Sequence, residues 1–131
     1  MTDEQDGVPD EGRRSPKYDL GERTALLGGS VILCARTIAI DAITSPLIKQ
    51  LVRSATSVGA NYCEANDAGS KKEFLYRISV CNREVRETKH WLRMLAVAFP
   101  ACKERSRLLW KESHELNLIF SSIHRKGKTR P

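Results

Sequence analysis

Six residues in one stretch of this 131-residue chain, Lys72, Tyr76, Arg83, Arg86, His90 and Arg93, are spaced so that a helix would place them on one face. Guanidinium groups make charge-assisted, often bidentate hydrogen bonds to phosphate, and a tyrosine or histidine among them can stack on an unpaired base or a sugar. Such contacts hold a nucleic-acid backbone without reading its sequence. Arg125, Lys126 and Lys128, with Arg130, extend the same chemistry from the C-terminal end. The competing reading is a solvated helix face or a contact between subunits. In the latter, these arginines meet Glu64, Glu84 or Glu87 of a neighbour, and Asn61 and Trp91 complete the interface.

Other chemistry finds less support. Glu87 and His90 have the Glu-x-x-His spacing of carboxylate-bridged di-metal bundles, but such sites need a second copy. Lys111 precedes His114 at that spacing and Ser121 precedes His124, so none is present. Cys34, Cys63, Cys81 and Cys102 fall singly in helical patterns, without a Cys-x-x-Cys pair, and read as reduced small hydrophobes. There is no Gly-x-Ser-x-Gly and no glycine-rich phosphate loop. Trp91 and Trp110 can stack bases, although filling grooves between helices is the commoner use of such residues. The expectation is a protein that is not an enzyme and uses no metal, cofactor or small-molecule substrate.

The charge balance favours a polyanion as partner. The formal net charge is +6, yet Asp3, Glu4, Asp6, Asp10 and Glu11 lie in the first twelve residues. With those five set aside, 22 basic residues face 11 acidic ones, a surplus that steers polyanions and releases their counterions. The acidic, polar start is unlike a secretory signal, and the most apolar run, 31–43, contains Arg36 and Asp41 and is too short to cross a bilayer. A cytoplasmic protein with no membrane contact is expected.

The elements that must position the basic row are helices. In 70–100, Phe74, Ile78, Cys81, Val85, Thr88, Leu92, Leu95 and Phe99 recur in alternating four- and three-residue steps, the seam of a heptad repeat. That segment predicts one helix of about 42 Å at 1.5 Å per residue, opened by the capping box Ser70-Lys71-Lys72-Glu73 and stopped by Phe99-Pro100. Before it, Asp19 to Glu22 forms an imperfect capping box, and Leu27, Val31, Cys34 and Ile38 predict a first helix over 19–43. Ser45-Pro46 predicts the start of a second, ending near Ala68 with Gly69 in the left-handed conformation. The row Ala55, Gly59, Cys63 and the pair Gly28-Gly29 would let helices approach closely. A fourth helix is predicted over 101–125.

Four helices with short connections and no strand pattern predict an all-α, up-down-up-down, left-handed four-helix bundle spanning 18–126. A disordered acidic tail over 1–17 and a flexible basic tail over 127–131 would flank it.

Arg53 to Ala65 (RSATSVGANYCEA), followed by Ser70-Lys71-Lys72-Glu73-Phe74, Glu84-Val85-Arg86-Glu87-Thr88 and Trp91-Leu92-Arg93, resembles the bacterial four-helix-bundle proteins encoded in intervening sequences of large-subunit ribosomal RNA genes. The likeness extends from about Asp19 to Ile123. It implies a homopentamer around a central channel and a non-enzymatic role. The chain also looks like the related accessory variability protein of diversity-generating retroelements, which implies nucleic-acid binding and a reverse transcriptase as partner. Cys63 stands where members usually carry an acidic residue and Asn82 where an apolar one is usual. The implied function is RNA or DNA binding with little sequence specificity, the alternative a scaffold whose basic face meets a protein partner or a neighbouring subunit.

Overall fold

The computed structural model describes residues 19–129, and the expectations for the acidic tail and for Arg130 lie outside them. Four helices make up the described chain: α1 (Leu20–Ala35), α2 (Thr44–Asn66), α3 (Lys71–Ala98) and α4 (Lys103–Thr129), with a single 3-10 turn, Pro100–Cys102, before α4. Each helix packs on its neighbours in sequence, and α3 lies between α2 and α4 in the most extensive contacts of the bundle. The first helix packs mainly on α2 and touches α4 only lightly.

The α3 seam is the centre of the core. Ile78, Cys81, Val85, Thr88, Leu92 and Leu95 are fully buried, while Phe74 and Phe99 close the two ends of the stripe in partial burial. Facing them are Leu27, Val31 and Cys34 of α1, Leu51, Ala55 and Val58 of α2, and Leu116 and Phe120 of α4. The buried hydroxyls find partners, most of them in their own helices, as Thr88 does in the carbonyl of Glu84 at 2.9 Å and Ser113 in that of Leu109 at 2.9 Å, whereas Thr44 donates to the Ala39 carbonyl before its helix at 2.7 Å and Ser106 lies 3.5 Å from Cys102 Sγ. Their burial therefore leaves no donor unsatisfied.

The helix ends show where local chemistry outweighs periodicity. Asp19 accepts from the Glu22 amide at 3.4 Å and Ser70 from the Glu73 amide at 3.1 Å, as their sequence positions predict. The first helix, however, stops at Ala35 rather than at 43. Thr37 donates to the Cys34 carbonyl at 2.7 Å, and the following residues include the β-branched Ile38, Ile40 and Ile43, which favour helix weakly. Ile38 still reaches the core from this turn.

The second helix begins at Thr44, and its opening amides are held by Asp41 rather than by Ser45. The Asp41 carboxylate accepts from Ile43 and Thr44 at 2.8 Å each. These two bonds hold its pKa below the usual aspartate range. Gly69 does not take up a left-handed conformation; its amide instead donates to the Glu73 carboxylate at 3.1 Å. The last helix starts at Lys103, two residues later than expected, because the Pro100 turn intervenes, and it continues to Thr129, beyond the expected end at 125.

Two features join α1 to the rest. A Cβ added at Gly59 would lie 3.3 Å from the Thr24 hydroxyl and 3.5 Å from the Thr24 backbone, and one at Gly28 would lie 3.5 Å from the Thr56 Cα. The backbones of α1 and α2 thus approach through small residues. Across the bundle, Arg23 donates to both oxygens of Glu112, at 3.0 and 2.8 Å, and to Glu115 at 2.6 Å. Its side chain is only 11% exposed, and the hydrogen bonds to Glu112, set against the cost of burial, raise its pKa. Replacing Gly59 by Val should destabilise the fold by about 2 kcal/mol through overpacking against Thr24. Arg23→Ala should cost about 1 kcal/mol by removing the charge-assisted bonds to Glu112 and Glu115, whose carboxylates are open enough to be rehydrated, whereas Arg107→Ala, in an exposed pair with Glu104, should leave the denaturation midpoint unchanged. Urea denaturation followed by circular dichroism measures all three.

Candidate nucleic-acid interface

The outer face of α3 is set by its seam, since the two rows run in step along one helix. Lys72, Tyr76, Arg83, Arg86, His90 and Arg93 are all exposed, in a row of roughly 32 Å at 1.5 Å per residue. Tyr76 is 59% exposed, and the Arg77 guanidinium lies 5.6 Å from its ring centroid. Among the described residues, no carboxylate lies within ion-pair distance of Lys72, Arg83, Arg86 or Arg93. Arg125, Lys126 and Lys128 are exposed along the last turns of α4, so helix continues where a flexible tail is expected.

The acidic residues of α3 explain why the row keeps its charge. Glu73 folds back onto the Gly69 amide. Glu84 and Glu87 both turn to Arg53 of α2, at 3.2 and 2.6 Å. Glu84 is only 10% exposed, so it has little surface to offer a neighbouring chain. Among the other residues assigned to a subunit contact, Asn61 accepts from Arg77 at 3.1 Å and donates to the Ser57 carbonyl at 2.9 Å. Glu64 is exposed on α2. Trp91 is half-buried with its indole nitrogen lacking a hydrogen-bond partner, and its ring meets the ring of His90 edge-on, with centroids 4.9 Å apart.

Two further groups stand outside the residues assigned from the sequence. The first is a polar ladder between α3 and α4. Lys89 turns inward, 2.9 Å from His114 Nδ1, and donates to Asn117 at 3.3 Å; Asn117 donates to Asn82, and Asn82 donates to Ser121 at 3.0 Å. Burial, with the Arg86 charge nearby, lowers the Lys89 pKa. Asn82, which departs from the apolar residue usual in the resembling proteins, is thereby satisfied. The second group is a short basic row on α4, Lys103, Arg107 and Lys111, exposed at four-residue spacing. Its spacing was the available signal, within the run Lys103 to Lys111.

The thiols differ in their surroundings. Cys81 is fully buried, and burial pushes its pKa up to about 12; Cys34 is buried and its pKa is raised for the same reason. Cys63 is exposed. No helix among the described residues is long and apolar enough to cross a membrane.

The sequence profile of the 23S rRNA-intervening sequence proteins matches residues 40–122. A crystal structure of a protein of unknown function from the S23 ribosomal protein family of Bacteroides thetaiotaomicron superposes with a TM-score of 0.69 at 24% identity, covering 80% of this chain and 97% of that one. That likeness is one of fold. No curated protein matches the chain.

A thiolate-specific reagent added to native protein near neutral pH should modify Cys63 promptly and leave Cys34, Cys81 and Cys102 to react only on unfolding. Thiol counting before and after denaturant checks this.

Proposed function

The chain belongs to the family of 23S rRNA-intervening sequence proteins, and from that premise we propose that it binds single- or double-stranded nucleic acid non-catalytically and with little sequence preference. The carrying observation is the α3 row: four exposed cations without a carboxylate partner among the described residues, on a helix whose own three carboxylates are held elsewhere. A polyanion is the partner such a row suits, because neutralising phosphates releases their counterions. Nothing in the row distinguishes one base sequence from another, since phosphate contacts position without specifying.

Assembly into an oligomer, pentameric as the resemblance implies, belongs to the same reading. Its support is an apolar face of α1, where Leu26, Ile32 and Leu33 are 58, 40 and 59% exposed. Self-association would repeat the basic row around an axis and multiply its contacts. A reverse transcriptase partner rests on the resemblance to the retroelement accessory protein alone. The alternative scaffold reading, in which the row meets acidic groups of a neighbour, has fewer candidates now that Glu84 and Glu87 are engaged by Arg53.

Filter binding across a salt series tests the leading reading. Arg83→Ala with Arg86→Ala should weaken binding to a single strand and reduce the slope of log K against log salt by about 1.4, the share of two phosphate contacts. An unchanged slope would remove the row from the interface, and no binding even at low salt would remove nucleic acid as the partner. Leu33→Glu should shift the mass measured by light scattering toward the monomer; a wild-type monomer would contradict assembly.

A further inference from the structure

Between the end of α3 and the start of α4 lies an open cavity of about 330 Å³, near the lower end of the range for small-ligand pockets. Its floor is apolar, from Leu92, Ala96 and Trp110, and its rim is basic, from Arg93, Lys103 and Arg107. Arg107 is paired with Glu104, whereas Arg93 and Lys103 have no carboxylate partner among the described residues. Arg93 is also the last cation of the α3 row, and Lys103 and Arg107 belong to the α4 row. The cavity therefore sits where the two basic rows meet.

One face of the Trp110 indole is already occupied. His114 stacks on it with ring centroids 5.0 Å apart and an interplanar angle of 13°, and Lys89 Nζ lies 4.8 Å from the ring centroid. The 2.9 Å separation of Lys89 Nζ and His114 Nδ1 requires both groups to lie on the same side of the indole. Neither lines the cavity. The ladder of Lys89, His114 and Asn117 thus backs the indole from behind and fixes its orientation, leaving the other side for a ligand.

We propose that this cavity is a subsite for one unpaired nucleobase, packed against Trp110 and Ala96 above the buried Leu92, with its flanking phosphates held by Arg93 and Lys103. An aromatic or apolar floor with cations at the rim is the combination by which proteins hold single strands, since every base has a stacking face and every linkage a charge. A base paired within a duplex cannot enter. The inference rests on the proposed binding by the α3 row and adds to it a preference for single strands.

The test compares wild type with Ala96→Leu, which fills the cavity without altering any charge, and with Ala96→Met as a second filling variant, both checked by circular dichroism. Anisotropy titrations use a labelled oligouridylate and a duplex of equal length. Wild type should prefer the single strand, and both filling variants should lose roughly tenfold in affinity for it while binding the duplex unchanged. If the variants bind the oligouridylate as tightly as wild type, while Arg83→Ala with Arg86→Ala still weakens both substrates, the subsite is overturned and the row stands. Loss of both substrates from wild type itself would overturn the row, and the subsite with it.

Discussion

The heptad seam of α3 is the constraint on which the rest of the structure depends. Its six fully buried residues are shared between α2 and α4, so the rotation of this helix about its axis is not free. Burial of each large aliphatic member contributes about 1.5–3 kcal/mol, and turning the helix by one residue would exchange Val85 and Leu92 for Arg86 and Arg93 and Thr88 for Lys89. The exposed row of Arg83, Arg86, His90 and Arg93 is therefore a consequence of packing. Core and candidate interface are two sides of one periodic pattern.

Electrostatics then decide what that outer face can do. On a helix rich in both signs, carboxylates one turn away commonly neutralise arginines. Here Arg53 of α2 draws Glu84 and Glu87 toward α2, and Glu73 is used at the helix start. The Arg23 cluster does the same for Glu112 and Glu115 of α4. Two interhelical ion-pair clusters thus brace the bundle and leave the basic row of α3 unopposed among the described residues. The Asn82, Asn117 and Lys89 ladder has a comparable double effect, since it satisfies polar groups between α3 and α4 and also orients Trp110.

Much of this was legible in the sequence. The seam, the four helices, the caps at Asp19 and Ser70, and the exposure of the α3 row all follow from periodicity and short-range chemistry, because each depends on residues within a turn or two. The early end of α1 was not legible, since the pattern continues to Ile38 and that residue is in fact buried, but from a turn. Asp41 caps α2 although Ser45-Pro46 is the stronger local signal in the sequence. The fates of Glu84 and Glu87 depend on Arg53, some thirty residues earlier, and such a pairing across helices has no signature in spacing. The cavity was hidden for the same reason, its walls coming from two helices that run past each other.

The central claim is that packing of α3 directs a nucleic-acid-binding row outward. Ultraviolet crosslinking of the full chain to an oligouridylate, followed by peptide mapping, tests it most directly. The account predicts adducts at Tyr76 and His90 on α3 and at Trp110 beside it. Adducts confined to α1 and α2, with α3 unmodified, would contradict it.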